Sequence, residues 1–288
     1  MSDLAPSARA ELPLNSACHP DFWRDALWRT YSRALALPQD EGWYHRKAWE
    51  WAHCAYGLER LGMLGPDRTA LGVGAGHERV LYYLANRTRL TIATDLYRGD
   101  FAGGPAGEAD ESFLHDPERF APFLYYRDRL VGLPADGCNL PFRAGSFDVV
   151  YSLSSIEHFG GHERASQAMR EMHRVLRPGG VACVATELVL EGGPHPAYFT
   201  PEDLQHYVVE GSGLTLLGPI EVKPLPQEMM ERPVRLPEEF QRAPHIVLQE
   251  GGWKFTSVCV FLRKASRASL NRQDRAEPGP RPAARHGL

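Results

Sequence analysis

Two groups of residues in this chain have the types and spacing to do chemistry. The first is a glycine-rich turn, Leu71-Gly72-Val73-Gly74-Ala75-Gly76-His77-Glu78. It is followed, roughly twenty residues on, by the acid Asp95, the spacing of a carboxylate that accepts ribose hydroxyl hydrogens. Glycines let the backbone take φ > 0 and let a ligand approach with no Cβ in the way. The second group is Ser154-Ser155-Ile156-Glu157-His158-Phe159-Gly160-Gly161-His162-Glu163. An imidazole changes charge near neutral pH, so His158 is the first choice for a proton acceptor, with Glu157 and His162 as alternatives. The same side chains invite a metal reading. Gly160-Gly161 breaks any ligand face on one helix and no further acidic set accompanies them, so no metal is expected.

The surrounding sequence supplies elements to position these groups. Thr69-Ala70-Leu71 reads as a strand feeding the glycine turn, and His77 to Arg87 reads as the helix that follows. Leu90-Thr91-Ile92-Ala93-Thr94-Asp95-Leu96 is a second β-branched strand, Arg129 to Pro134 a third, residues 147–153 a fourth and Val181 to Thr186 a fifth. A helix over 164–176 closes at Arg177-Pro178-Gly179-Gly180. Thr200-Pro201-Glu202-Asp203 is a capped helix start. Leu214 to Val222 and Phe255 to Leu262 read as the last two strands.

Five stretches, Leu71-Gly72-Val73-Gly74-Ala75-Gly76, Ala93-Thr94-Asp95-Leu96, Asp136-Gly137-Cys138-Asn139-Leu140-Pro141-Phe142, Ser146-Phe147-Asp148-Val149-Val150 and Arg174-Val175-Leu176-Arg177-Pro178-Gly179-Gly180, come in one order over residues 69 to about 190. Together they resemble the class I S-adenosylmethionine (SAM)-dependent methyltransferases of the small-molecule type. The resemblance implies an α/β fold: a doubly wound, mostly parallel seven-stranded sheet with an antiparallel last strand, helices on both faces and extra N-terminal helices. It implies SAM as cofactor. Gly72, Gly74 and Gly76 would pass under the methionine part and ribose, Asp95 would take the ribose hydroxyls and Leu96 would flank adenine. Asp136 would accept from the adenine amino group, the Gly137 N–H would donate to the ring, and Ser152 would lie at the same strand end. Asp148 reads as structural. The family often carries an acid where Gly72 stands and a third glycine where Glu78 stands, so Glu78 or an N-terminal residue is expected to anchor the methionine end.

The reaction implied is methyl transfer to an O, N or C atom of a small organic acceptor, with His158 and Glu157 as catalytic candidates. Two alternatives share the scaffold: SAM-dependent chemistry other than methyl transfer, and a non-catalytic SAM-binding module. Helices over Asp21–Leu37 and about Gly42–Leu61 precede the first strand and carry Trp43, Tyr44, Trp49 and Trp51. Such helices commonly close this fold's site, so Tyr44, Trp49 and His162 are expected to touch the acceptor. The domain reading is a helical cap over 1–66, a SAM-binding domain over 67–264 with insertions at about 98–128 and 223–250, and a disordered tail over 265–288.

Composition bounds the rest. The 288 residues are 43% hydrophobic, enough for one large α/β domain with a core. The formal net charge of -4 argues against a nucleic-acid partner. No apolar run has the length of a membrane span, and the first twenty residues lack the pattern of a signal peptide. Five scattered cysteines, Cys18, Cys54, Cys138, Cys183 and Cys259, point to reduced thiols and a cytoplasmic protein.

Overall fold

In a computed structural model the described residues are 12–98 and 109–266. The small-residue stretch at 99–107 and nearly all of the tail expected from 265 lie outside them.

The strands are β1 (Asn15–Ala17), β2 (Gly65–Val73), β3 (Thr88–Asp95), β4 (Leu130–Pro134), β5 (Phe147–Leu153), β6 (Leu176–Glu191), β7 (Thr215–Leu216), β8 (Ile220–Glu221), β9 (Val234–Arg235), β10 (Leu248–Glu250) and β11 (Trp253–Arg263). They form one open sheet in the order β4-β3-β2-β5-β6-β11-β1-β8, with β7, β9 and β10 joined at its side. β4, β3, β2, β5 and β6 run parallel, and β11 is antiparallel to β6. The chain runs outward from β2 to β4, then returns to lay β5 on the other flank of β2. That reversal is the switch point at which such sheets bind ligands, outside the strand carboxyl ends.

Parallel strands covered on both faces read as continuous apolar runs. Every residue of β5 is buried. Side chains alternate between two cores. Ala70, Val149, Tyr151, Cys183 and Phe261 pack under α2 (Arg46–Arg60) and α3 (Arg79–Ala85). Leu71, Val73, Val150, Ala182 and Val260 pack under α4 (His162–Val175) and the segment from Pro201 to Val209. At Gly57 of α2 a Cβ would stand 2.1 Å from the Phe261 ring, so only glycine lets the helix lie this close to β11. Asp148 ties the amino ends together: its Oδ2 accepts from the Thr69 N–H at 2.8 Å and from Arg177 at 2.8 Å.

The doubly wound plan and the antiparallel last strand hold, but among the described residues the sheet has eleven strands in place of the expected seven. Residues 15–17, read as part of a helical cap, form β1 between β11 and β8. The strand expected over Leu214–Val222 is correspondingly split into β7 and β8. The buried Asn15 side chain causes the split. Its Nδ2 donates to the Leu217 and Gly218 carbonyls, and its Oδ1 accepts from the Phe261 N–H, replacing ladder bonds the strand would have made. The first expected helix is shorter: after a 3₁₀ turn over Pro20–Arg24, Asp25 caps α1 (Ala26–Ala34) by accepting from the Leu27 and Trp28 N–H groups.

Candidate active site

The carboxyl ends of β2, β3 and β5 hold the glycine turn in a web of short bonds. Gly74 and Gly76 sit at φ 63° and 47°. The Ala75 N–H donates to the Thr94 carbonyl, the Gly76 N–H to Asp95 Oδ2 at 3.0 Å, and Ser155 Oγ to the Gly74 carbonyl at 2.6 Å. Asp95 Oδ1 accepts from the Leu96 N–H, and the Leu96 side chain is 53% exposed beside it. Past β4, Asp136 accepts from the Cys138 N–H and pairs with Arg164 at 3.2 Å. The Phe159 ring fills the gap between the two turns: a Cβ on Gly137 would lie 2.6 Å from it and one on Gly74 3.2 Å. The structure therefore brings Gly74, Gly76, Asp95, Asp136 and Gly137 to one end of the sheet and supplies Phe159, which sequence reasoning missed.

Gly72 has a steric reason for lacking the family's acid. A Cβ there would lie 2.8 Å from Tyr151 Oη and 2.7 Å from the Ala75 methyl. Tyr151 is fully buried, and among the described residues neither its hydroxyl nor that of buried Ser152 has a hydrogen-bond partner. The acid stands instead at Glu78. Its Oε1 pairs with Lys47 of α2 at 2.8 Å, while Lys47 also donates to the Leu153 carbonyl. Burial pushes the Glu78 carboxyl up to about 7, against the pull of Lys47. Glu78 is thus a buried side chain held by a cation, as far from a generic helix cap as its position in the turn is close to one.

A second charged group lies over β5 and β6. Arg46, with a side chain 12% exposed, reaches Glu187 Oε1 at 2.6 Å and Glu50 Oε1 at 3.1 Å. It also donates to the hydroxyls of Ser154 and Ser257. Ser154 adopts φ 49°, an unusual conformation for a non-glycine residue at a strand end. Arg46 holds the Glu187 carboxyl down at about 2 despite its burial. Glu157, 1% exposed, accepts from Thr186 Oγ1 at 2.8 Å, while its Oε1 and Glu187 Oε2 are buried with no hydrogen-bond partner among the described residues. Burial and Glu187 together raise its carboxyl far above the ordinary range. Arg46, Lys47, Glu50 and Glu187 were all missed by sequence reasoning. The signal was present: charged residues inside an otherwise apolar helix and strand are almost never fully buried unless paired.

The proposed catalytic and substrate residues separate. His158 is at the site, its side chain 34% exposed and its Nε2 3.9 Å from Glu157 Oε1. Glu157 itself is turned inward, 1% exposed with its carboxyl held by Thr186, so its assignment as a base is corrected. Trp49 is corrected as well. It is fully enclosed, packed on Phe22 and stacked on His53, because its side of α2 faces the core. Tyr44 packs on Trp23 and lines a cavity of about 560 Å³ bounded by residues of 23–44, away from the glycine turn. His162 opens α4, and its Nε2 bonds the Tyr198 carbonyl at 3.0 Å, a strut in place of the expected acceptor contact. His45 stacks on His245 of the 223–250 insertion with ring centres 4.1 Å apart, fastening that insertion to the start of α2. Among the described residues no group of three metal-ligating side chains forms. No helix of the described residues is long and apolar enough to cross a membrane.

The donor set suits a ligand with vicinal hydroxyls and a zwitterionic end. Asp95 is an acceptor at the end of β3, and Lys47 and Glu78 offer opposite charges beside the glycine turn. Residues 71–184 match a protein-family model described as a methyltransferase domain. Over those residues the chain carries a methyltransferase domain. SAM is its cofactor. Among curated proteins the chain is similar to "tRNA (carboxymethyluridine(34)-5-O)-methyltransferase alkbh8" of Xenopus tropicalis, 45% identical over 49 residues, which cover 17% of this chain and 8% of that one. It is also similar to "Methyltransferase GfsG" of Streptomyces halstedii, 39% identical over 84 residues, covering 29% of this chain and 26% of that one. The chain thus spans about a tenth of the tRNA enzyme's length and about a quarter of the other's. Among solved structures the [4+2]-cyclase SpnF is matched over 90% of this chain and 100% of that one at 14% identity and a TM-score of 0.50, a likeness of fold alone.

These relatives correct one expectation. Net charge argued against a nucleic-acid partner, yet proteins named as tRNA methyltransferases share this stretch. Net charge describes the field of the whole molecule and leaves the local character of an acceptor surface open.

Proposed function

We propose that the protein transfers the methyl group of SAM to a small organic acceptor that enters between α2 and the carboxyl ends of β5 and β6. The observation that carries this reading is the roof of the site. Arg46 of α2 bonds Glu187 and Ser154, Lys47 bonds the Leu153 carbonyl, and the His245 carbonyl of the insertion accepts from the Arg46 N–H, which favours a compact acceptor with polar groups to match.

Within this reading Asp95 accepts the two ribose hydroxyls and Leu96 flanks adenine. Asp136 and the Gly137 N–H meet the adenine edge, and Gly72, Gly74, Gly76 and Ser152 line the backbone channel beneath. Glu78 and Lys47 take the amino and carboxylate groups of the methionine end, replacing the acid that Tyr151 excludes from position 72. When bound, SAM supplies an activated methyl group with a good leaving group. The protein's share is alignment and exclusion of water. A hydroxyl acceptor also needs its proton removed, and His158 is the exposed imidazole at the strand end for that task.

The test is incubation with methyl-labelled SAM and two acceptor pools, small organic metabolites and total tRNA. Label in a small molecule supports the reading. Label in tRNA overturns it in favour of the nucleic-acid acceptors named for the partial relatives. Substrate conversion without label transfer assigns the site a different SAM-dependent chemistry.

A further inference from the structure

The segment after β5 does more than carry His158. Ser155 braces the Gly74 carbonyl, and Phe159 fills the space between Gly74 and Gly137, so this segment supports both turns of the cofactor site. It begins at Ser154 in a strained conformation that surrounding bonds must hold. Its one inward anchor of charged type is Glu157. Thr186 Oγ1 donates to Glu157 Oε2, and Glu157 Oε1 and Glu187 Oε2 are left as two buried carboxyl oxygens with no hydrogen-bond donor among the described residues. Two carboxylate oxygens join only if one carries a hydrogen. Arg46, at 2.6 Å, keeps Glu187 ionised, so the hydrogen belongs to Glu157.

We propose that Glu157 is a positioning residue whose carboxyl hydrogen, donated to Glu187, pins the Ser154–Phe159 segment beneath the cofactor site. The inference rests on the SAM-binding reading above. The groups facing the pair are Arg46 and Lys47 from α2, His158 on the same segment, Tyr198, and His245 from the insertion. Burial keeps His245 neutral, its imidazole lowered to about 3, and burial with the Glu250 bond raises Tyr198 out of the working range. Loss of the Glu157 proton leaves two buried carboxylates against one another with Arg46 as the close counter-ion. They repel, and the segment leaves its place under Gly74 and Gly137.

The experiment pairs infrared spectroscopy with titration of S-adenosylhomocysteine, from neutral to alkaline pH, for the wild type and Glu157→Gln. The amide keeps both hydrogen bonds and cannot ionise. Glu78, at about 7, contributes a protonated-carboxyl band at neutral pH in both proteins, and the wild type shows a further band that the variant lacks. Its affinity falls by up to about tenfold per pH unit once that proton leaves, since one proton is then linked to binding. Glu157→Gln binds as the wild type does at neutral pH and lacks the alkaline fall. If the variant fails to fold, coincidence of the wild-type band's titration with the loss of affinity carries the same test. Absence of the band, or equal alkaline falls in both proteins, overturns the proposal. A wild type that binds no S-adenosylhomocysteine at any pH refutes the cofactor reading instead, and the infrared band still decides whether Glu157 holds the proton.

Discussion

Replacing Arg46 by Met tests the charge network most directly. Arg46 neutralises Glu187 at 2.6 Å and Glu50 at 3.1 Å, and those carboxylates are 2% and 0% exposed. Methionine matches the stem but leaves Glu187 without its cation, while Glu50 keeps Lys47 at 3.4 Å and the Ser154 and Ser257 hydroxyls. Removing one partner of a buried ion pair costs about 3–5 kcal/mol, because the remaining charge is stranded away from water. That is a large part of the roughly 5–15 kcal/mol that holds a domain together. With a urea slope of about 2 kcal/mol/M, the midpoint of unfolding should fall by about 2 M. The six tryptophans give the fluorescence signal. The double variant Arg46→Met/Glu187→Gln removes the stranded charge and should regain at least half of the loss, with the slope unchanged throughout. A single variant that loses less than about 1 kcal/mol, the worth of an exposed pair, would refute the account, as would a double variant with no recovery.

Three further outcomes follow from the site. Asp95→Ala should weaken S-adenosylhomocysteine at least about tenfold in calorimetry, since hydrogen bonds to a charged group contribute about 1.5–3 kcal/mol each; a folded variant of unchanged affinity would remove Asp95 from the site. Gly72→Asp, which writes in the family's acid, should lower stability by about 1–3 kcal/mol in thermal melts through overpacking against Tyr151 and Ala75. Equal melting and tighter cofactor binding would show that Tyr151 does not occupy the acid's place. Burial, with neighbouring cations, lowers His45 to about 4 and His245 to about 3. Between those values and the ordinary 6.5 or so, the unfolded chain takes up protons that the folded chain refuses, so stability is full above the window and declines as pH falls through it. His245→Phe, which keeps a ring on His45, should flatten that decline in urea midpoints measured from neutral to acid pH, and an unaltered slope would contradict the assignment.

Local chemistry made much of this protein readable from its sequence. Parallel strands buried on both faces must be apolar runs, and a ligand turn between strand and helix must be glycine-rich, so β2, β3, β5 and the turn at Gly72–Gly76 announce themselves. The capped start at Thr200 and the stop after Val175 follow from backbone groups that need partners close in sequence. The tertiary structure decided what depends on contacts between distant residues. Asn15 looks like any loop residue until its amide is set against Leu217 and Phe261, where it turns part of the expected helical cap into a strand and splits another. Trp49 is as plausible a pocket aromatic as Tyr44 until α2 is rotated onto the sheet and its indole points inward. Glu157 and Glu187 are separated by thirty positions of chain, and neither position hints that they share a hydrogen. Whether a carboxyl is a base, a latch or a counter-ion depends on its burial and on the charge beside it, and both are properties of the folded arrangement.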